Sequence, residues 1–193
     1  MDQRTLVQAA GRGDHDAFAM LVRGAIARLD AVARLILRDP ELARDAVQEA
    51  MVRAWRDLPA LRDPERFEAW LHRLTVRSCL DLIRRRRRRV IEVELQSFDG
   101  PAVHDTAVLV AQQDVLDRAL RSLELENRSL VIMHYYLGLS VPEAASILGI
   151  PLGTAKSRLS RSLAQMRLVA GSDGGEEPVP RTILPARQEG RPA

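Results

Sequence analysis

The sequence predicts an all-α fold: two small helical domains joined by a flexible linker and followed by a disordered tail. Three observations carry that prediction. Apolar residues recur at three- and four-residue spacings up to the arginine run Arg84 to Arg89, and again from about residue 109. Asp-Pro pairs, an N-cap followed by a first-turn proline, punctuate the first half at Asp39-Pro40 and Asp63-Pro64. Charge then reverses: no Lys or Arg occurs from Val90 to Asp117, while Glu92, Glu94, Asp99, Asp105, Asp114 and Asp117 supply negative charge. The expected boundaries are a first domain at 1–89, a linker at 90–108, a second domain at 109–169 and a tail at 170–193.

In chain order, Phe18, Leu21, Val22, Ala25, Ile26, Leu29, Val32, Ala33 and Ile36 fall on one face and predict a single long helix. Asp39-Pro40 closes it and opens "ELARDAVQEAMVRAWRDL", which Pro59 ends. Asp63-Pro64 opens "ERFEAWLHRLTVRSCLDLIRRRRRR", with Phe67, Trp70, Leu71 and Leu74 as the buried stripe. Cations at a helix C-terminus complement its dipole, but only over the last turn, so six arginines exceed what capping needs. Arg84 and Arg85 are therefore candidates for phosphate contact as well as members of a solvated helix end. After them "VIEVEL" reads as a short extended piece and "QSFDGPAVHDTA" as aperiodic linker. Roughly 20 residues reach up to about 70 Å at ~3.3 to 3.6 Å each.

Four helical patterns follow, in "AVLVAQQDVLDRALRSL", "ENRSLVIMHYYLG", "SVPEAASILG" and "LGTAKSRLSRSLAQMRL". The tail "GSDGGEEPVPRTILPARQEGRPA" holds too little apolar surface to offset its ordering entropy.

The last two patterns form a helix-turn-helix. Ser140 suits an N-cap for a helix with apolar Val141, Ala144, Ala145 and Leu148, and Gly149 ends it. After the turn Gly149-Ile150-Pro151, the second helix turns Leu152, Ala155, Leu159, Leu163 and Met166 inward. At ~100° per residue the opposite direction falls on Ser157 and Arg161, with Gly153, Thr154 and Ala164 close by and Lys156 and Arg158 on the flanks. No carboxylate stands between Leu152 and Met166. A face of donors, hydroxyls and small side chains suits a closely approaching polyanion, which points to DNA.

Composition narrows the alternatives. The formal net charge is +3, and of 29 basic residues only Lys156 is lysine. No apolar run reaches the roughly 18 residues of a membrane span, and "MDQRTLVQAAGRGD" has no signal-peptide pattern. The expectation is a cytoplasmic protein without membrane insertion. Cys79 has no second cysteine to pair with. There is no Gly-rich phosphate loop, metal-spaced cluster or nucleophile motif, so no enzyme activity, cofactor or metal is expected.

Two stretches resemble a known family. "DPELARDAVQEAMVRAWRDL", followed by "FEAWLHRL" and an arginine-rich helix end, resembles region 2 of sigma-70-type factors. "ALRSLELENRSLVIMHYYLGLSVPEAASILGIPLGTAKSRLSRSLAQMR" is similar to their region 4. With a short linker and no third domain between them, the arrangement is that of the extracytoplasmic-function (ECF) sigma factors. The resemblance implies bacterial core RNA polymerase as partner, with Asp45, Gln48 and Glu49 matching the core-binding motif. It implies promoter DNA as the other partner. The loop Pro59 to Arg66, with Leu61, Arg62 and Asp63, lies where such factors capture a flipped −10 base; Arg77, Arg84 and Arg85 follow on the next helix. Thr154, Lys156, Ser157, Arg158, Ser160 and Arg161 match positions that meet the −35 major groove. It further implies an anti-sigma factor. The chain departs from the family pattern at Met51, where Phe is frequent, at Leu61, where an aromatic is common, and at Arg77, where Asn is frequent.

The competing reading is a helix-turn-helix regulator that acts without binding polymerase. The first half argues against it, since a receiver domain would alternate strands with helices and none is visible.

Overall fold

The computed structural model describes residues 2–94 and 111–171, and all regular structure among them is helical. Region 2-like sequence supplies α1 (Gln3–Gly11), α2 (His15–Arg23), α3 (Ile26–Leu37), α4 (Pro40–Asp57) and α5 (Phe67–Glu94). Region 4-like sequence supplies α6 (Ala111–Arg121), α7 (Leu125–Val131), α8 (Val141–Leu148) and α9 (Leu152–Gly171). Linker residues 95–108 and the tail beyond Gly171 lie outside the described residues.

Aspartates cap the starts of α1, α2 and α4. Asp2 accepts from the Thr5 amide, Asp14 from Asp16 and Ala17, and Asp39 from Glu41 and Leu42, each at 2.9–3.0 Å. Each carboxylate satisfies amides that the first helical turn leaves without a partner. The Asp39-Pro40 signal therefore acts as the sequence predicts. Asp63-Pro64 instead opens a 3-10 turn, Pro64–Arg66, ahead of α5, and a second such turn, Leu58–Ala60, follows α4.

The structure corrects two expectations. The single long helix is two, α2 and α3, broken at Gly24-Ala25. Gly in a helix interior costs about 1 kcal/mol relative to Ala, and the bend buries Val22, Ala25 and Leu29 while leaving Ile26 45% exposed. The "VIEV" stretch is not extended: α5 runs on to Glu94. Once a helix is nucleated, each further residue costs little.

α3, α4 and α5 enclose the first core, with Leu29, Ile36, Ala43, Ala50, Phe67, Leu71 and Val76 at 0–1% exposure. Trp55 closes one end, stacked on His15 at 4.3 Å and met edge-on by Phe18 at 5.2 Å. In the second half α7 hands over to a π turn, Ile132–Tyr136, in which the Leu137 amide reaches back five residues to the Ile132 carbonyl. The wider turn leaves Tyr135 and Tyr136 outside, both more than half exposed.

The two halves touch. α3 lies against α7 and the π turn, α5 lies against α8, and the buried apolar residues of both halves form one contiguous cluster.

Candidate nucleic-acid and partner interfaces

The helix-turn-helix is built by local chemistry. Ser140 and Glu143 form a reciprocal capping box: the serine hydroxyl accepts from the Glu143 amide, and the Glu143 carboxylate accepts from the Ser140 amide at 3.0 Å and hydroxyl at 2.7 Å. Those bonds, with Arg73 nearby, hold the Glu143 carboxyl below its ordinary pKa. Gly149 ends α8 at φ +68°, and the Ile150 amide returns to the Ala145 carbonyl at 3.1 Å. Only glycine takes this left-handed conformation without strain.

α9 buries Ala155 and Leu159 and half-buries Leu163 and Met166, as its spacing predicts. Leu152 differs, at 42% exposure, at the first position of the helix. Lys156, Ser157, Ser160 and Arg161 are all exposed on the opposite side. Ser157 Oγ donates to the Thr154 carbonyl at 3.0 Å, and Arg161 Nε donates to the Ser157 carbonyl at 3.3 Å, so these side chains lie along the helix surface. A Cβ at Gly153 would meet nothing, which leaves room for close approach. Arg158 is distinct: half-buried, it pairs with Glu126 of α7 at 2.6 Å. That partner stands 32 residues away and has no spacing signature.

In the first half Asp45 and Gln48 are exposed on α4, and Val52, on the same face, is 68% exposed. Glu49 turns instead toward α5. It accepts from Arg53 at 2.5 Å and from Arg85 of α5, while Arg53 also reaches Asp81 at 2.8 Å. Burial works against its ionised form, but the two guanidiniums more than compensate and hold its pKa low. Two residues expected to serve different partners, Glu49 and Arg85, thus meet in one ionic network.

The loop between α4 and α5 brings Leu61, Arg62 and Asp63 together. Leu61 is half-buried against the core; Arg62 and Asp63 are exposed. Asp63 accepts from the Glu65 amide at 3.1 Å and pairs with Arg66 at 3.2 Å. The loop is braced from α1, where Gln3 Nε2 donates to the Pro64 carbonyl at 2.9 Å and Arg4 pairs with Glu65 at 3.4 Å. Nothing in the N-terminal sequence signals this bracing. Arg77 and Arg84 are exposed along α5.

Comparison with known proteins decides the family. Sigma-70 region 2 matches residues 21–89, and Sigma-70, region 4 matches residues 113–166. The ECF RNA polymerase sigma factor SigM of Mycobacterium tuberculosis is 35% identical over 169 residues, spanning 86% of this chain and 83% of that one. The chain is an ECF sigma factor of the sigma-70 family. The ECF sigma factor SigW of Bacillus subtilis is 27% identical over 175 residues, covering 83% of this sigma factor and 92% of SigW. Among solved structures, CnrH in complex with the cytosolic domain of CnrY superimposes with a TM-score of 0.59 at 27% identity, covering 90% of this chain and all of that one. The sigma factor RpoE of Bartonella quintana, in complex with the anti-sigma factor NepR, shares the fold with a TM-score of 0.62 at 24% identity, over 81% of this chain and 98% of that one. As a sigma factor the protein directs RNA polymerase to promoters for transcription initiation. No helix among the described residues is long and apolar enough to cross a membrane.

Proposed function

We propose that this sigma factor divides its work among three surfaces. Asp45, Gln48 and Glu49 on α4 engage core polymerase, with the exposed Val52 extending the same face. The loop carrying Leu61, Arg62 and Asp63 meets the −10 element, and Arg77, Arg84 and Arg85 follow the opened strands along α5. α9 enters the −35 major groove with Lys156, Ser157, Ser160 and Arg161, while Thr154 and Arg158 border the contact.

The observation that carries this reading is the outward face of α9. Four donor-bearing side chains stand exposed there without a carboxylate among them, presented by a capped helix and a left-handed glycine turn. Such a face matches the acceptors of phosphates and guanine edges. Promoter opening on this scheme needs no nucleotide hydrolysis, because captured bases offset part of the unpairing cost. The protein acts in the cytoplasm as a binding protein rather than a catalyst. The relatives solved in complex with the cytosolic domain of CnrY and with the anti-sigma factor NepR support an anti-sigma factor as a protein partner for this chain also.

Co-purification with core polymerase tests the first surface. Asp45→Arg with Glu49→Arg should abolish association while circular dichroism retains the helical signal. Unchanged association would remove α4 from the polymerase contact.

A further inference from the structure

The loop between α4 and α5 is fixed from within only in pieces. Its first 3-10 turn closes with the Leu61 amide on the Leu58 carbonyl at 3.0 Å, and its second with the Arg66 amide on the Asp63 carbonyl at 3.1 Å. The Asp63 side chain serves the second turn alone, through the Glu65 amide and Arg66. None of these bonds runs from one turn to the other, so they do not set how the two turns stand to each other around Arg62. α1 touches both turns. At one end Gln3 Nε2 donates to the Pro64 carbonyl at 2.9 Å, and Arg4 pairs with Glu65 at 3.4 Å. At the other end a side-chain carbon on Gly11 would stand 4.0 Å from the Pro59 Cα. Between these ends Val7 and Ala10 are buried, and the helix is about 12 Å long at ~1.5 Å per residue. Asp2 caps α1 through the Thr5 amide and so orders the turn that carries Gln3 and Arg4. All of α1 lies ahead of residue 21, where the match to region 2 begins.

We propose that α1 is a splint for this loop, and that Gln3 and Arg4 are positioning residues for base reading at the −10 element. The splint stands on the contacts alone; its role in base reading rests on the function proposed above. Leu61 is half-buried and carries no ring on which a base could stack, so discrimination falls to the polar groups of Arg62 and Asp63 and to the loop backbone. Hydrogen bonds weaken steeply when bent or stretched. A loop that reads by them needs its two turns held in one relation before the base arrives, so that ordering accompanies folding rather than binding. The exposed Arg4–Glu65 pair contributes little by itself. The Gln3 bond, part-buried and made to the loop backbone, is the firmer of the two. α1 thus shapes a contact that its own residues do not make.

Two measurements on the full-length chain test it. Hydrogen exchange in the free protein reads the loop itself: Gln3→Ala with Arg4→Ala should speed exchange of the amides between residues 60 and 66 by about fivefold or more, while α3 and α4 keep their protection. Base reading is measured on holoenzyme assembled with core polymerase, by selecting and sequencing bound strands from a pool of single-stranded DNA with a randomised segment. The same double variant should lose about threefold or more of its discrimination at the base the loop reads, the scale of one hydrogen bond's net contribution, and keep it elsewhere. Arg4→Glu sets two carboxylates against each other and should also lose discrimination there; adding Glu65→Arg should recover it by restoring the pair with charges reversed. Loop exchange that does not move, or faster exchange with discrimination unchanged, overturns the proposal. So does a variant that weakens all sequences about equally and lowers the salt slope by about one unit, since Arg4 would then be a phosphate contact. Should the alanine double variant unfold, the charge exchange between the two exposed side chains decides, and no loss followed by recovery overturns the splint. If the unsubstituted holoenzyme shows no preference among single strands, the proposed −10 reading fails and the role of α1 in it fails too, while hydrogen exchange still reads the brace.

Discussion

Arg85 of α5 reaches back to Glu49 of α4, so a residue of the arginine run is neutralised by a residue of the helix proposed to bind polymerase. If Arg85 meets DNA as proposed, this pair withholds that cation in the free protein.

Glu49→Gln should release Arg85. The free chain would then bind DNA more tightly, and the slope of log affinity against log salt should steepen by up to about one unit for one added phosphate contact. Fluorescence anisotropy with a labelled promoter fragment at several salt concentrations measures this. An unchanged slope means that Arg85 does not meet the backbone.

On α9 the two arginines should separate. Arg161→Ala should weaken −35 binding by about 1 to 3 kcal/mol and relax preference at a single base pair, the mark of a base contact. Arg158→Ala should weaken all sequences about equally. Because Arg158 is tied to Glu126, its loss should also lower stability slightly, by up to about 1 kcal/mol for a partly exposed pair. Binding to matched and singly substituted duplexes, together with urea melts, distinguishes them.

Gly149→Ala isolates a backbone effect. No atom lies within 4 Å of the Cβ it would add, so the cost is that of φ +68° alone, about 1 to 2 kcal/mol. Gly149→Asn should cost less, since Asn tolerates this conformation. Equal melting of all three proteins would show that the turn relaxes to another geometry.

His72 should make stability depend on pH. Burial lowers its pKa below the ordinary 6.5; Arg28 adds to the shift, while the Glu68 backbone and carboxylate oppose it. The unfolded chain thus binds more protons across the interval below 6.5. The stability is fully present above that value and is lost as pH falls through the folded one. His72→Gln should flatten this part of the profile between about pH 7 and 5, as read by thermal melts.

Much of the fold was legible because its signals are local. Asp39 caps the helix it precedes, Ser140 and Glu143 sit three apart, and Gly149 takes the conformation its neighbours demand. The outward face of α9 follows from helical angle alone. The break at Gly24 was hidden because the apolar spacing continues across it, and only tertiary burial favours the bend. Pairings such as Arg128 with Ile36, 92 residues apart, or Gln3 with Pro64, 61 apart, leave no period in the sequence. Glu49 and Arg85 were each legible as surface candidates, but their pairing depends on how α4 and α5 cross.

The scarcity of lysine has a practical consequence. Lys156 is the single lysine of the chain, and it stands exposed on α9. An amine-acylating reagent therefore has one side-chain target in the entire protein, apart from the terminal amine. On the proposed −35 contact, its rate of acylation at that position, read by mass spectrometry of one peptide, should act as a footprint of the helix-turn-helix, falling when DNA covers α9 and staying high in the free protein.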